Sequence, residues 1–197
     1  MYHIKDDKRS FDSAKRLYNA LCQLVMLKPF DSINITELVE TAEVARVTFY
    51  RNFDTLDDIL LYELNRHFVD LKTYLNAYYS ANPSYPKQIF ILPFLNYWSQ
   101  DATLISLLLQ CNRIHMLYDA FLSLFSDCLS NYYNESAFNI NEYNYFLAIR
   151  SGIAINVLIT WVKNGQKETP DEIMGILAKQ IDGTMNFKMF GMPQIKI

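Results

Sequence analysis

"ITELVETAEVARVTFYRNFDTLDDIL", residues Ile35 to Leu60, decides how this chain is read. Its middle, "RVTFYRNF", carries two arginines, a tyrosine and an asparagine but no acid, whereas acids crowd both flanks. The "NITE" ahead of it has capping-box form: the Asn34 side chain can accept from first-turn amides while Glu37 reaches back. The short helix so begun carries Leu38, Val39 and Ala42. A tight turn at "EVA" leads to a second short helix, and Asp54 in "DTLD" is the expected N-cap of the next. Asp57 and Asp58 suit the positive end of that helix's dipole.

Two short helices joined by a tight turn make a helix-turn-helix unit. On the second helix Phe49 and Phe53 stand four apart and are expected to pack inward with Leu38 and Val44. That leaves Arg46, Thr48, Tyr50, Arg51 and Asn52 facing outward, a set able to reach base edges and phosphates. In such units the second helix enters the DNA major groove, about 12 Å wide.

At these residues the chain resembles the DNA-binding signature of TetR-family transcriptional regulators. Their pattern runs close to T-x-x-[IL]-A-x-x-A-G-V-[ST]-x-x-x-[FIL]-Y-x-[HY]-F-x-[ST]-K-x-x-[IL]. The likeness covers roughly residues 12 to 64 and centres on "TFYRNF", with Leu38, Ala42 and Val44 at the matching distances before it. It implies a DNA-contacting set of Thr36, Arg46, Val47, Thr48, Tyr50, Arg51 and Asn52. Tyr50 would meet a phosphate, Thr48 a phosphate or base, Arg46, Val47 and Arg51 the bases, and Asn52 the backbone. Departures from the pattern include Glu43, Ala45 and Leu56. Glu43 replaces the turn glycine and must tolerate a positive φ. Ala45 replaces a Ser/Thr cap, a change of about 1 kcal/mol. Leu56 replaces a lysine that anchors a phosphate.

Upstream, "MYHIKDDKRS" reads as a loosely held start with no apolar signal-peptide core. In "FDSAKRLYNALCQLVML", Ala14, Leu17, Leu21, Leu24 and Val25 share one helical stripe, broken at "KPFDS". Downstream, the helix opened by "DTLD" is expected to run to about Tyr79, and "SANPSYP" is the clearest linker. Further helices are expected over about 86–100, 102–112, 114–133, 141–164 and 170–183, with a polar break at Asn134–Asn139. Gly165 ends one helix, and Thr169 caps the next with Pro170 at its first position. The tail "MNFKMFGMPQIKI" has no clear period.

The fold class is therefore all-α. A three-helix helix-turn-helix domain over 1–60, with a connecting helix to about 80, precedes a C-terminal bundle over 81–197. "WVKNGQKETPDEIMGIL" resembles the junction of the family's last two helices, which commonly build a dimeric four-helix interface. Phe146, Ile149, Ile153, Val157 and Trp161 form a stripe, and Gly152 and Ala154 permit close approach. With Ile173, Ile176 and Leu177 they make a dimer face, or else an intrachain core. Trp98, Cys111, His115 and Tyr118, with Tyr97, Phe121 and Phe125, either line an apolar ligand pocket or belong to the core. "NYYNESAFNINEYNYF" reads as a polar loop rimmed by aromatics.

The totals bound the function. Half of the 197 residues (51%) are hydrophobic, and five glycines leave long stretches unbroken, which favours helices. A net charge of −3 gives no overall basic footprint, so any nucleic-acid site must be a local patch. Cys22, Cys111 and Cys128 form no metal-ligand cluster and suit a reducing compartment. "IFILPFL" and "IAINVLITWV" read as too short to span a membrane. No nucleophile–base spacing, phosphate-cradling loop or metal set points to an enzyme or a cofactor. The expectation is a cytoplasmic homodimer that binds a partly palindromic operator and is released by a small apolar effector or a partner protein. The alternative is a protein-interaction module of the same fold with lost DNA recognition.

Overall fold

The computed structural model describes residues 1–85, 90–130 and 140–182; of 123–130, 140, 141, 143, 181 and 182 only the backbone is described. Helices make up its regular structure: α1 (Lys8–Val25), α2 (Ile35–Thr41), α3 (Arg46–Asn52), α4 (Leu56–Ala81), α5 (Ile91–Gln100), α6 (Thr103–Gln110), α7 (His115–Ser130), α8 (Ile140–Lys163) and α9 (Pro170–Asp182). A 3₁₀ turn, Phe30–Ser32, joins α1 to α2. Among the described residues the sole β feature is an isolated antiparallel bridge between Tyr2 and Phe53. The polar break at Asn134–Asn139 and the tail from Met185 lie outside the described residues.

Local chemistry sets the helix ends. Asp7 caps α1 by accepting from the Ser10 amide at 2.8 Å. Asn34 caps α2 by accepting from the Glu37 amide at 3.0 Å. Glu37 does not complete the box, because its carboxylate pairs with Lys28. The cap of α4 falls one residue later than expected, on Thr55 rather than Asp54. Asp58 closes a full capping box there and accepts from both the Thr55 and Asp54 amides at 3.0 Å. At α9, Thr169 and Glu172 exchange the same pair of contacts. Gly165, at φ +79°, and Gln166, at φ +51°, end α8 as Gln166 N–H reaches back to the Trp161 carbonyl at 2.9 Å.

Packing follows the apolar stripes. In α1, Ala14, Leu17, Leu21 and Leu24 are buried with Ala20, and Val25 is half-buried. Each fully buried leucine contributes about 1.5–3 kcal/mol. They close over α2, α3 and the first half of α4. The long α4 then carries Phe68, Leu71, Leu75 and Tyr79 into the second half, against α5, α6 and α7. Its aromatic centre joins Phe94, Phe121 and Phe90, with the Phe94 and Phe121 rings 5.2 Å apart and edge-on.

Helix α8 is apolar on two sides. Ser151, Ala154, Ile155, Leu158 and Trp161 face the chain's own core. Tyr145 and Ile149 are exposed, and Phe146, Gly152, Ile153 and Val157 are half-buried. The segment Asn144–Lys163 is long and apolar enough to cross a membrane by length and composition, which the shorter apolar runs in the sequence concealed; 28% of its most apolar 18 residues are buried within the chain.

Candidate nucleic-acid interface

The turn from α2 to α3 is closed without glycine. Glu43 stands at φ +51°, and Val44 N–H reaches back five residues to the Val39 carbonyl at 3.0 Å. This is the helix-ending pattern usually built on glycine. The exposed Glu43 carboxylate accepts from Arg16 on α1 at 2.9 Å. Ala45 follows with extended backbone and no side-chain cap.

From that turn α3 presents two unlike faces. Phe49 and Phe53 are fully buried with ring centres 6.1 Å apart, over buried Leu38 and half-buried Val44. On the other face Arg46, Val47, Tyr50 and Arg51 are exposed and Thr48 is half-buried. Thr36 on α2 joins them: the Arg46 guanidinium donates to the Thr36 hydroxyl at 3.4 Å and to the Tyr50 hydroxyl at 3.3 Å. Its charge sits 5.7 Å from the Tyr50 ring centre. No acid lies on this helix. The acids at its ends are engaged: Glu43 by Arg16, and Asp54 by His3 at 3.2 Å. The surface can donate to phosphate oxygens and base edges.

Asn52 is a correction. The sequence reading turned it outward, toward a DNA backbone, but it is fully buried at the inner corner of α3. Helical spacing puts it three residues after Phe49, on the face that packs inward.

The N-terminal segment also departs from expectation. Residues before α1 are pinned rather than loose. His3 N–H donates to the Asn52 carbonyl at 2.7 Å, and the Tyr2 hydroxyl accepts from Asn65 at 3.0 Å. The Tyr2 ring meets Tyr62 edge-on at 5.3 Å. The segment thus braces the end of α3. The alternation of apolar Tyr2 and Ile4 with polar His3 and Lys5 was the available signal. Behind it, Asp7 is held below its ordinary pKa, first by the Ser10 amide and in smaller part by Arg51.

The residues read as pocket or core divide. Trp98 and Cys111 are core residues, His115 is exposed, and Tyr118 is half-buried and donates to Asn156 at 3.0 Å. Burial pushes the Cys111 thiol up to about 12, as suits a packed apolar group. The Phe125 side chain lies outside the described residues. An open cleft of about 480 Å³ lies elsewhere, between the end of α1 and the α5–α6 turn, lined by Cys22, Ser99, Asp101, Thr103, Ser106 and Gln166. Of the expected dimer face, Trp161 and Ile173 are buried within the chain. Ile149 and Ile176 stand exposed, and Ile153, Val157, Ile176 and Leu177 flank an open groove of about 450 Å³ between α8 and α9.

An all-helical chain with a helix-turn-helix unit and a cationic, acid-free second helix defines the class of helix-turn-helix regulators. Residues 87–183 match the TetR-type family model described as "Transcriptional regulator C-terminal region". The fold is similar to that of the fatty acid degradation regulator FadR from Bacillus halodurans, with 13% identity, TM-score 0.56, and 92% of this chain and 98% of that one covered. The regulator FadR from Bacillus subtilis, solved with stearoyl-CoA, is a second similar structure, with 13% identity, TM-score 0.49, and 86% and 98% covered. No curated protein matches the sequence. Just under half of the chain, its C-terminal part, thus matches the C-terminal region of a TetR-type transcriptional regulator.

Proposed function

We propose that this regulator is a cytoplasmic homodimer that binds a partly palindromic operator and represses by occluding a promoter. Residues 1–60 would read the DNA, α4 would connect, and the helices from residue 81 onward would dimerise and take the regulatory signal. Thr36, Arg46, Val47, Thr48, Tyr50 and Arg51 form the reading surface. The observation that carries this is the gathering of Arg46 and Tyr50, on the exposed side of α3, with Thr36 of α2, while Phe49 on the other side of α3 is fully buried.

Duplication follows from α8 and α9. Ile149, at 62% exposed, and Ile176, at 51%, would be covered by a second copy rather than by lipid. Two such chains would set their α3 helices about one DNA turn apart, 34–36 Å or somewhat more. A small apolar effector or a partner protein acting on the bundle would change that spacing. Because the coupling is reciprocal, operator DNA would weaken effector binding by the same factor.

Purified protein should bind its own upstream region with steep salt dependence. Arg51→Glu should abolish binding with unchanged helicity. Parent-like affinity in that variant overturns the assigned surface. A second reading, a protein-interaction module without DNA recognition, is favoured by Val47, 74% exposed and apolar at the centre of the surface, and by Leu56 in the anchoring-lysine position. It predicts a stable dimer that shows no preference among duplex sequences.

A further inference from the structure

Arg113 lies in the α6–α7 turn, outside the surfaces considered so far, yet it reaches the DNA-reading half. Its Nε donates to Asp57 Oδ1 at 2.6 Å, in the first turn of α4. Its Nη2 donates to Asp31 Oδ1 at 2.8 Å, in the 3₁₀ turn between α1 and α2. Its guanidinium carbon sits 4.9 Å from the ring centre of buried Phe30, in that same turn. A third donor, Nη1, returns to the Cys111 carbonyl at 3.2 Å.

One side chain therefore ties the end of α6 to both ends of the helix-turn-helix unit. The turn that carries it is itself stiff. Asn112 stands at φ +55°, and Arg113 N–H bonds the Leu108 carbonyl at 2.8 Å, so the backbone of Arg113 moves with the last turn of α6. On the far side, Asp57 lies four residues after Phe53, the buried C-cap of α3. Arg113 is 22% exposed, Asp57 38% and Asp31 78%. The Asp57 contact is thus the less screened of the two, and the exposed Asp31 pair alone would count for little.

We propose that Arg113 is a positioning residue: it fixes the angle at which the bundle holds α3, and so transmits displacement of α6 to the reading surface. The inference deepens the regulator reading and rests on it. A planar guanidinium that serves two carboxylates and a ring at once fits one arrangement of the three elements. A shift of about an ångström at α6 breaks that fit.

The test uses the full chain and the duplex it selects. Arg113→Ala should weaken operator binding at least about fivefold, within the range typical of coupled sites. It should leave the slope of log K against log salt unchanged, since no phosphate contact is lost. Arg113→Lys should recover only part of the affinity, lacking the planar fork. Asp57→Asn should add little to Arg113→Ala. Parent-like affinity for Arg113→Ala, or a salt slope smaller by about one, overturns the proposal; the latter would make Arg113 a direct DNA contact. If the parent selects no duplex, it is the regulator reading that fails. Amide exchange then decides on Arg113: faster exchange over residues 46–60 in Arg113→Ala supports the positioning role, and unchanged exchange overturns it.

Discussion

Neighbouring residues on α3 should separate stability from DNA binding. Phe49 is fully buried and Tyr50 is 47% exposed. Phe49→Ala removes a core ring and leaves a cavity, a loss of about 3–5 kcal/mol. That is a large share of a total of about 5–15 kcal/mol. At about 2–4 °C per kcal/mol for a chain of this size, the midpoint should fall by roughly 6–20 °C. Tyr50→Ala loses its edge-on contact with Phe49, with centres 5.3 Å apart, and the exposed Arg46 contact. Those are worth about 0.5–1.5 and 0.5–1 kcal/mol. The midpoint should fall by no more than roughly 10 °C, yet operator binding should be lost. Thermal unfolding by circular dichroism and duplex binding by fluorescence anisotropy give the two readouts. Equal destabilisation by both substitutions, or retained binding in a folded Tyr50→Ala, would refute the two-faced account of α3.

Three other outcomes are expected. Val157→Glu, on the groove between α8 and α9, should turn the proposed dimer into monomers by sedimentation velocity. Val69→Glu, at an exposed site on α4, should not, because only the first would place charges in the apolar groove that the proposed second copy covers. Ala45→Ser should stabilise by about 0.5–2 kcal/mol in urea titration, since the extended backbone at the α3 cap already suits an accepting hydroxyl. Glu63 is buried and its pKa is raised by desolvation, so the native state binds its proton more tightly than the unfolded chain does. Its contribution to stability should therefore fall as pH rises from the ordinary glutamate range through the raised value, and Glu63→Gln should flatten that decline in urea titrations at several pH values.

Much of this was legible in the sequence, for identifiable reasons. The Phe49–Phe53 spacing and the stripe in α1 reported which faces pack, because helical period alone decides that. The positive φ at Glu43 followed from the turn's geometry, although the Arg16 contact beside it joins residues far apart in the chain. Asn52 is polar and stands beside exposed Arg51, yet it follows Phe49 by three residues, the spacing that shares the inward face. Trp98 and Cys111 were legible as apolar but not as core rather than lining, since that depends on how α4, α5 and α6 close. The Arg113 contacts with Asp31 and Asp57 carry no local signal and appear only once the chain is folded.

The account's central claim is that the outer side of α3 reads DNA, and in duplicate. Selection of bound sequences from random duplex DNA tests this most directly. The account predicts enrichment of a partly palindromic site whose half-site centres lie about one helical turn apart, 10–10.5 base pairs or somewhat more. A pool that stays unenriched, or a single unrepeated half-site, would contradict it.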